Sequence, residues 1–453
     1  MYLCVYLWLQ FTNTKKIITF KIYMQTINYP IKEEYTGIIA RPIMDTAEIQ
    51  AKVKPIIEAV RTQGDEALKR YALQFDGAVI DDILTSSYEI AQAEKHLDET
   101  LKTAIKVAYS NIEKFHILQK DIVRKVETMP GVLCWRKSVA IDKVGLYIPG
   151  GTAPLFSTVL MLGIPAKLAG CSEIVLCTPP NAEGRIHPAI LFAAHLVGIT
   201  KIYKVGGAQA IAAMAYGTKT IPQVYKIFGP GNQYVTAAKQ LLLAAGIVAI
   251  DMPAGPSEVA VYADETSYPQ FVAADLLSQA EHGSDSQVLL VSTSPEMIAM
   301  IQKEVEEQLK TLPRMAFAAI SLQNSKAVLV KDVQEAIELL NEYAAEHLIL
   351  ATDYADEISE KIHNAGSIFL GHFTPEAVGD YASGTNHTLP TNGYAKAYSG
   401  VSLDSFIKKI TFQRLTQSGI QLLGNTVETM AAAESLDAHR LAVTYRLAEI
   451  AKK

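Results

Sequence analysis

The chain has 453 residues, 49% of them apolar and 19% charged, with a formal net charge of -6. That length corresponds to two to four domains at about 100–200 residues each, and the apolar content is enough for a large core. Acids and bases are interspersed, so no electrostatic feature points to nucleic acid or an anionic membrane surface as a partner.

The N-terminal segment stands apart from the rest. Met1 to Leu9 is apolar, yet it lacks a basic flank and a small-residue cleavage site and is far short of the ~20 residues that span a bilayer. Ordinary globular sequence begins at Met24, so residues 1–23 are expected to be a non-native upstream extension and residues 24–46 an N-terminal arm. Residues 47–75 and 87–118 carry apolar positions at helical spacing, for example Ile57, Val60, Leu68 and Tyr71, and predict amphipathic helices.

From Val139 the texture changes to short apolar runs, each followed by a Gly/Pro turn and an Ala-rich helical stretch. The runs lead into Gly150-Gly151, Pro179-Pro180, Gly206-Gly207 and Gly229-Pro230-Gly231. A second set comprises Glu258 to Ala263, Gln287 to Ser292, Ala327 to Val330 and His347 to Leu350. Strands alternating with helices predict βαβ units and parallel sheets, hence an α/β fold. Ligand sites are expected at strand C-terminal ends and in the cleft between units. The tail from Ser402 is expected to be helical, with Val427, Met430, Ala431, Leu436, Leu441 and Leu447 as its apolar positions, and to pack on another element or another subunit.

Cys4, Cys134, Cys171 and Cys177 form no CxxC pair. Free buried thiols in a reducing cytoplasm fit this pattern, with a catalytic or zinc-binding thiol at the strand-bracketing Cys171 or Cys177 as the alternative.

The most informative segment is Gly371 to Gly400, dense in Gly, Ser, Thr, Asn and Pro but interleaved with Phe373, Val378, Tyr381, Leu389, Tyr394 and Tyr398. It reads as a long ordered loop, and such loops are usually functional. It carries Asp380 and His387. Residues 275–282 read as a helix ending at Gly283, with Gln279 and His282 on one face and Asp275 a turn earlier. An imidazole and an amide oxygen met by Asp380 would make a nitrogen/oxygen metal site; a solvated polar stripe is the other reading. Glu346-His347 lies where a predicted helix, Val333 to Ala345, gives way to a strand. Both side chains are natural proton-transfer groups, although an exposed Glu beside a strand-start His has the same sequence. The glycine turns suit a phosphate or serve packing equally well, and no G-x-G-x-x-G opens a helix among them.

Together these segments resemble the histidinol dehydrogenase family from about Met24 to the C-terminus. Val144 to Thr152, Gly206 to Ala210, Gly229 to Asn232, Asp251 to Glu258, Ser278 to Gly283, Glu346-His347, Gly379 to Pro390 and Glu434 to His439 carry the resemblance. It implies oxidation of L-histidinol to L-histidine, the last step of histidine biosynthesis, in two NAD-dependent steps through a histidinal-level intermediate. Gln279, His282, Asp380 and His439 match the family's zinc ligands, with His439 supplied by a partner subunit. Glu346 and His347 match its acid/base pair. Ser257, His387 and Glu434, together with the zinc ligands and the acid/base pair, match substrate contacts, and Tyr147, Gln209 and Asn232 match the NAD site. The implied architecture is an intertwined cytoplasmic homodimer of two incomplete Rossmann-like domains, with residues 47–143 and 257–401 in one, 144–256 in the other, and residues 402–453 as a tail completing the partner's site. Another small alcohol as substrate, a zinc hydrolase using Glu346, and a catalytically silent imidazole-binding protein are the rival functions.

Overall fold

The computed structural model describes residues 24–41, 46–150, 154–253 and 255–452. Residues 1–23, expected to be an upstream extension, lie outside the described residues. Among the described residues, fourteen strands fall in chain order as β1 (Gln25–Asn28), β2 (Lys125–Met129), β3 (Val132–Ala140), β4 (Lys143–Tyr147), β5 (Glu173–Thr178), β6 (Lys201–Lys204), β7 (Lys226–Phe228), β8 (Ala249–Ile250), β9 (Glu258–Ala263), β10 (Gln287–Ser292), β11 (Lys326–Leu329), β12 (His347–Ala351), β13 (Ser367–Leu370) and β14 (Ile407–Leu415).

Two parallel sheets dominate, as the alternating pattern predicts. One runs β6-β5-β4-β7-β8, and the other β1-β11-β10-β9-β12-β13. In each, the first strand of the α/β series, β4 or β9, lies inside the sheet and the chain grows outward on both sides of it. The arm contributes β1, a parallel edge strand on β11.

Residues 47–143, expected to join the 257–401 unit, pack elsewhere. The Thr46–Gln63 helix places Val53, Ile57 and Val60 in one core with Val175, Ala210 and Ile227. The Glu99–Ile117 helix places Ile105, Ala108 and Ile112 in another with Val144, Leu146 and Leu160. A parallel sheet needs both faces covered, and these helices cover the two faces of the five-stranded sheet. The six-stranded sheet is covered by the Pro269–Ala280 and Pro295–Leu309 helices on one face and the Val333–Tyr343 helix with Tyr35 and Ile38 of the arm on the other.

The tail is not helical throughout. β14 pairs antiparallel with β3 along its whole length, and β2 completes a small three-stranded sheet. The Gln417–Ala433 and Asp437–Ile450 helices follow as a hairpin in which Gly424 lies against Leu447 and Val443. Most of this appendage is exposed, including Leu422, Met430, Leu436 and Tyr445.

Candidate active site

The chemically rich residues gather at the N-terminal edge of the six-stranded sheet. Ligand sites expected at strand C-terminal ends are therefore misplaced for this sheet. The reason lies in connectivity: the helix after β9 runs back along the sheet, so its C-terminal end, with Gln279 and His282, returns to the edge where β9 and β12 begin. A helix C-terminus carries partial negative charge and favours a cation there.

Local structure fixes each side chain. Ala344 takes φ 53°, ends the Val333–Tyr343 helix and turns the chain toward β12, so that Glu346 sits just before the strand and His347 is its first residue. Gly366 passes so close to the Glu346 carbonyl that a Cβ would lie 2.5 Å from its oxygen. The segment read as a long loop contains a six-residue helix, Glu376–Tyr381, so Asp380 stands on a helix rather than in a loop. Gly379 lets that helix settle on Phe369, whose ring a Cβ would approach to 2.7 Å. Glu376 and Asp380, one turn apart, then share the face toward His347.

The distances define a compact cluster. His347 Nε2 lies 3.3 Å from Asp380 Oδ1, while Nδ1 lies 3.7 Å from both Glu346 Oε2 and Glu376 Oε1. Ligand atoms of His347, Glu376 and Asp380 all fall within 4.8 Å of one another. Gln279 Nε2 approaches His282 Nδ1 to 3.4 Å. Glu346 Oε2 also accepts from the Glu258 backbone N–H at 3.0 Å. The Glu258 carboxylate is gripped by Arg41, Nε to Oε2 at 2.8 Å and Nη2 to Oε1 at 2.9 Å, beneath the Tyr343 ring.

Burial and charge oppose each other throughout. Burial disfavours protonation of His347, yet the Glu376, Glu346 and Asp380 carboxylates push its pKa up to about 10. Burial pushes Glu346 and Glu376 up to about 8, with His347 resisting in both cases. Burial works to raise Asp380 as well, but His347, His387 and His282 hold it below the ordinary carboxylate range. His282 and His387 are pushed down by burial against the pull of Asp380.

His387 ties the two sheets together. Its Nδ1 contacts the Asp380 carbonyl at 2.8 Å and its Nε2 contacts Thr158 Oγ1 at 3.1 Å, on the Phe156–Ala169 helix of the five-stranded unit. Beside it, Asn386 donates to the Met161 carbonyl at 2.6 Å, which orders the segment as its aromatic content suggests. Ser257 directly precedes Glu258 at the same edge. Glu434 and His439 do not join them: both are exposed, Glu434 in the turn between the tail helices and His439 on the second of them.

The donors fit a divalent metal. Gln279 Oε1 and Asp380 Oδ1 are buried without a hydrogen-bond partner, as are both His347 nitrogens and Glu376 Oε2. Buried polar atoms left unpaired are costly and rare, so several converging at a helix C-terminus mark a place prepared for a cation or a polar ligand. Cys171 and Cys177 are free, buried and distant in function: burial pushes Cys171 up to about 12 and Cys177 higher still, so neither is a thiolate at neutral pH.

Tyr147, Gln209 and Asn232 lie at the other sheet. Tyr147 ends β4 and its hydroxyl accepts from the Gly207 N–H at 3.0 Å, next to buried Gln209. Asn232 caps the Gln233–Ala244 helix, accepting from Tyr234 and Val235. The glycine turns here serve packing. Gly229 donates its N–H to Asp251 Oδ2 at 2.8 Å and a Cβ there would meet the Tyr147 carbonyl at 2.1 Å, while Gly150 and Gly206 close on Pro179. Pro179 and Gly150 also line a cleft of about 860 Å³ at the C-terminal ends of β4 and β5, with Asp76, Pro180, Asn181 and Arg185.

The sequence matches the family described as Histidinol dehydrogenase over residues 39–447. This chain belongs to the histidinol dehydrogenase family. It is 60% identical over 424 residues to the histidinol dehydrogenase of Bacteroides thetaiotaomicron, covering 94% of this chain and 99% of that one. It is 53% identical over 416 residues to the chloroplastic enzyme of Arabidopsis thaliana, covering 91% of this chain and 89% of that one. The crystal structure of histidinol dehydrogenase from Elizabethkingia anophelis superposes with a TM-score of 0.92 at 54% identity, over 94% of this chain and 98% of that chain. Membership makes the chain an NAD-dependent oxidoreductase, and the hydrolase and silent-binder readings fall away. Glu258, Arg41, Thr158 and Glu376 went unnoticed in the sequence. Only Glu376 left a signal there, its spacing of one helical turn from Asp380.

Proposed function

We propose that this protein oxidises L-histidinol to L-histidine in two NAD-dependent steps at a zinc site shared between two subunits, completing histidine biosynthesis in the cytoplasm. The observation that carries the reading is the Glu346/His347 pair meeting Asp380 in one buried cluster, with Gln279 against His282, whose imidazole feels the Asp380 charge. Gln279, His282 and Asp380 would hold zinc from this chain and the tail's His439 from the partner. Zinc would bind and orient the imidazole and amine of the substrate. Tyr147, Gln209 and Asn232 would face NAD, for which the adjoining cleft offers room.

His347 takes the alcohol proton in the first oxidation, and Glu346 takes a proton from water in the second. His387 holds the Asp380 backbone in place, and Ser257 and Glu434 contact substrate. Enclosure between two sheet units keeps the aldehyde from escaping. The exposed apolar side chains of the tail support a second copy as its cover.

Co-expressed H347A and H439A chains test substrate and sharing together. Random pairing makes about half the dimers mixed, each with one intact site, so about a quarter of normal NADH formation from L-histidinol returns. No recovery would refute the shared site, and no NADH from the unaltered enzyme would refute the substrate.

A further inference from the structure

We propose that the buried Lys239–Asp251 pair holds the turn 229–232 in place for the dinucleotide, which makes Lys239 and Asp251 positioning residues for the cofactor. The inference rests on the reading of Tyr147 and Asn232 as NAD contacts.

The pair stands where two parallel strands end together. β7 and β8 match Lys226 with Ala249 and Ile227 with Ile250, and Asp251 extends the ladder by donating its N–H to the Ile227 carbonyl at 3.0 Å. Its carboxylate turns across to the backbone leaving β7. Oδ2 accepts the Gly229 N–H at 2.8 Å, while Oδ1 accepts the Met252 N–H at 2.8 Å and pairs with Lys239 Nζ. Lys239 lies on the Gln233–Ala244 helix that follows the turn, and its Nζ also donates to the Gly229 carbonyl at 3.0 Å. Gly229 takes φ 126° and presses on the Tyr147 backbone, so fixing Gly229 fixes the turn against Tyr147. At the far end of the turn, Asn232 Oδ1 accepts the Tyr234 and Val235 N–H groups at 3.1 and 3.2 Å, which leaves the Nδ2 donor for the dinucleotide.

Stability alone does not call for charges here. The Lys239 and Asp251 side chains are 6% and 2% exposed. At such depth the desolvation of two charges roughly cancels their attraction, and well-packed neutral replacements are commonly as stable or more so. What the charges contribute is direction. They hold both backbone groups of Gly229 and the Met252 N–H with charge-assisted hydrogen bonds, which an apolar pair cannot make. A displaced turn would withdraw the Asn232 donor, and losing one hydrogen bond to a charged ligand lowers affinity by about 10–100-fold. The substrate side is anchored separately. Before the chain reaches Ser257, the Gly255 N–H is bound by Thr391 Oγ1. The pair therefore acts on the cofactor and leaves histidinol binding alone.

The test is the neutral double variant K239M/D251N beside D251N alone, with N232D as reference. Binding is read by titrating the zinc-loaded protein with NADH and following the nucleotide's fluorescence, and turnover is read separately. In the double variant the NADH Kd and the KM for NAD should both rise by about 10–100-fold, with kcat at saturating NAD within about threefold of native. The KM for histidinol, the zinc content and the thermal midpoint should stay near native, the last because a neutralised buried pair is commonly tolerated. D251N keeps one acceptor oxygen for two backbone N–H groups and should fall between, at about 3–10-fold. NADH affinity within about twofold of native in the double variant would overturn the proposal. So would an equal loss of histidinol affinity or zinc, which would make the pair a brace for the whole fold. If the double variant does not fold, D251N decides by the same two criteria. N232D keeps the helix cap but loses the Nδ2 donor: if it binds NADH as the native protein does, the reading of Asn232 fails, and if it binds weakly while K239M/D251N does not, only the positioning role fails.

Discussion

Replacing Arg41 with Met removes the only cation paired with Glu258 among the described residues and should destabilise the protein in a pH-dependent way. The pair is bidentate and nearly enclosed, with side-chain exposures of 14% and 2%. Breaking a buried pair by deleting one partner costs about 3–5 kcal/mol, because the remaining charge is stranded. The native Glu258 pKa is already raised by burial, with Arg41 and the Asn392 and Gly393 backbone pulling it down. Without Arg41 it rises further. A carboxylate whose folded pKa exceeds its unfolded value contributes stability that is fully present below the unfolded pKa and lost as pH climbs through the folded one. The deficit of R41M relative to the native chain should therefore grow with pH above the native Glu258 value, by up to about 1.4 kcal/mol per pH unit. Urea unfolding followed by circular dichroism at pH 5.5 and 8.5 measures it. A double replacement, R41M with E258M, should recover most of the loss at pH 8.5. An equal deficit at both pH values, or one below about 1 kcal/mol, would refute the reasoning.

The remaining predictions concern chemistry. E346Q should form NADH from histidinol in a single turnover far more readily than from histidinal, with the second step slowed by about 10²–10⁴-fold; equal losses in both steps would end the division of labour. G379A should push the Glu376–Tyr381 helix off Phe369 and weaken zinc binding by about 10–100-fold in a competitive chelator titration, and native affinity would show the seat to be unimportant. Alkylation at pH 8 followed by peptide mapping should label Cys134 and spare Cys171 and Cys177 in the folded protein, because burial holds both of those thiols protonated.

What the sequence disclosed follows the strength of its patterns. β5, β9, β10 and β12 are apolar runs buried on both faces, and each was legible from that alone. β14 lies mostly exposed in a single chain, so it has no apolar alternation to read, and β1 is four residues whose register β11 supplies. The allegiance of residues 47–143 was illegible because amphipathic helices show which face is buried but not which sheet buries it. At the site, Gln279 with His282 and Glu346 with His347 were visible as local pairs. Their convergence depends on Ala344, Gly366 and Gly379, whose roles are backbone geometry that appears only in three dimensions. Arg41 and Glu258 are 217 positions apart, beyond any local pattern.

The central claim is a zinc-assembled site that oxidises histidinol twice. Counting NADH per histidine formed from L-histidinol, before chelation, after it and after zinc is returned, tests that claim most directly. The account predicts about two NADH per histidine, loss of both steps on chelation and recovery of both with zinc. One NADH per turnover with free aldehyde as product, or full activity in metal-free protein, would contradict it.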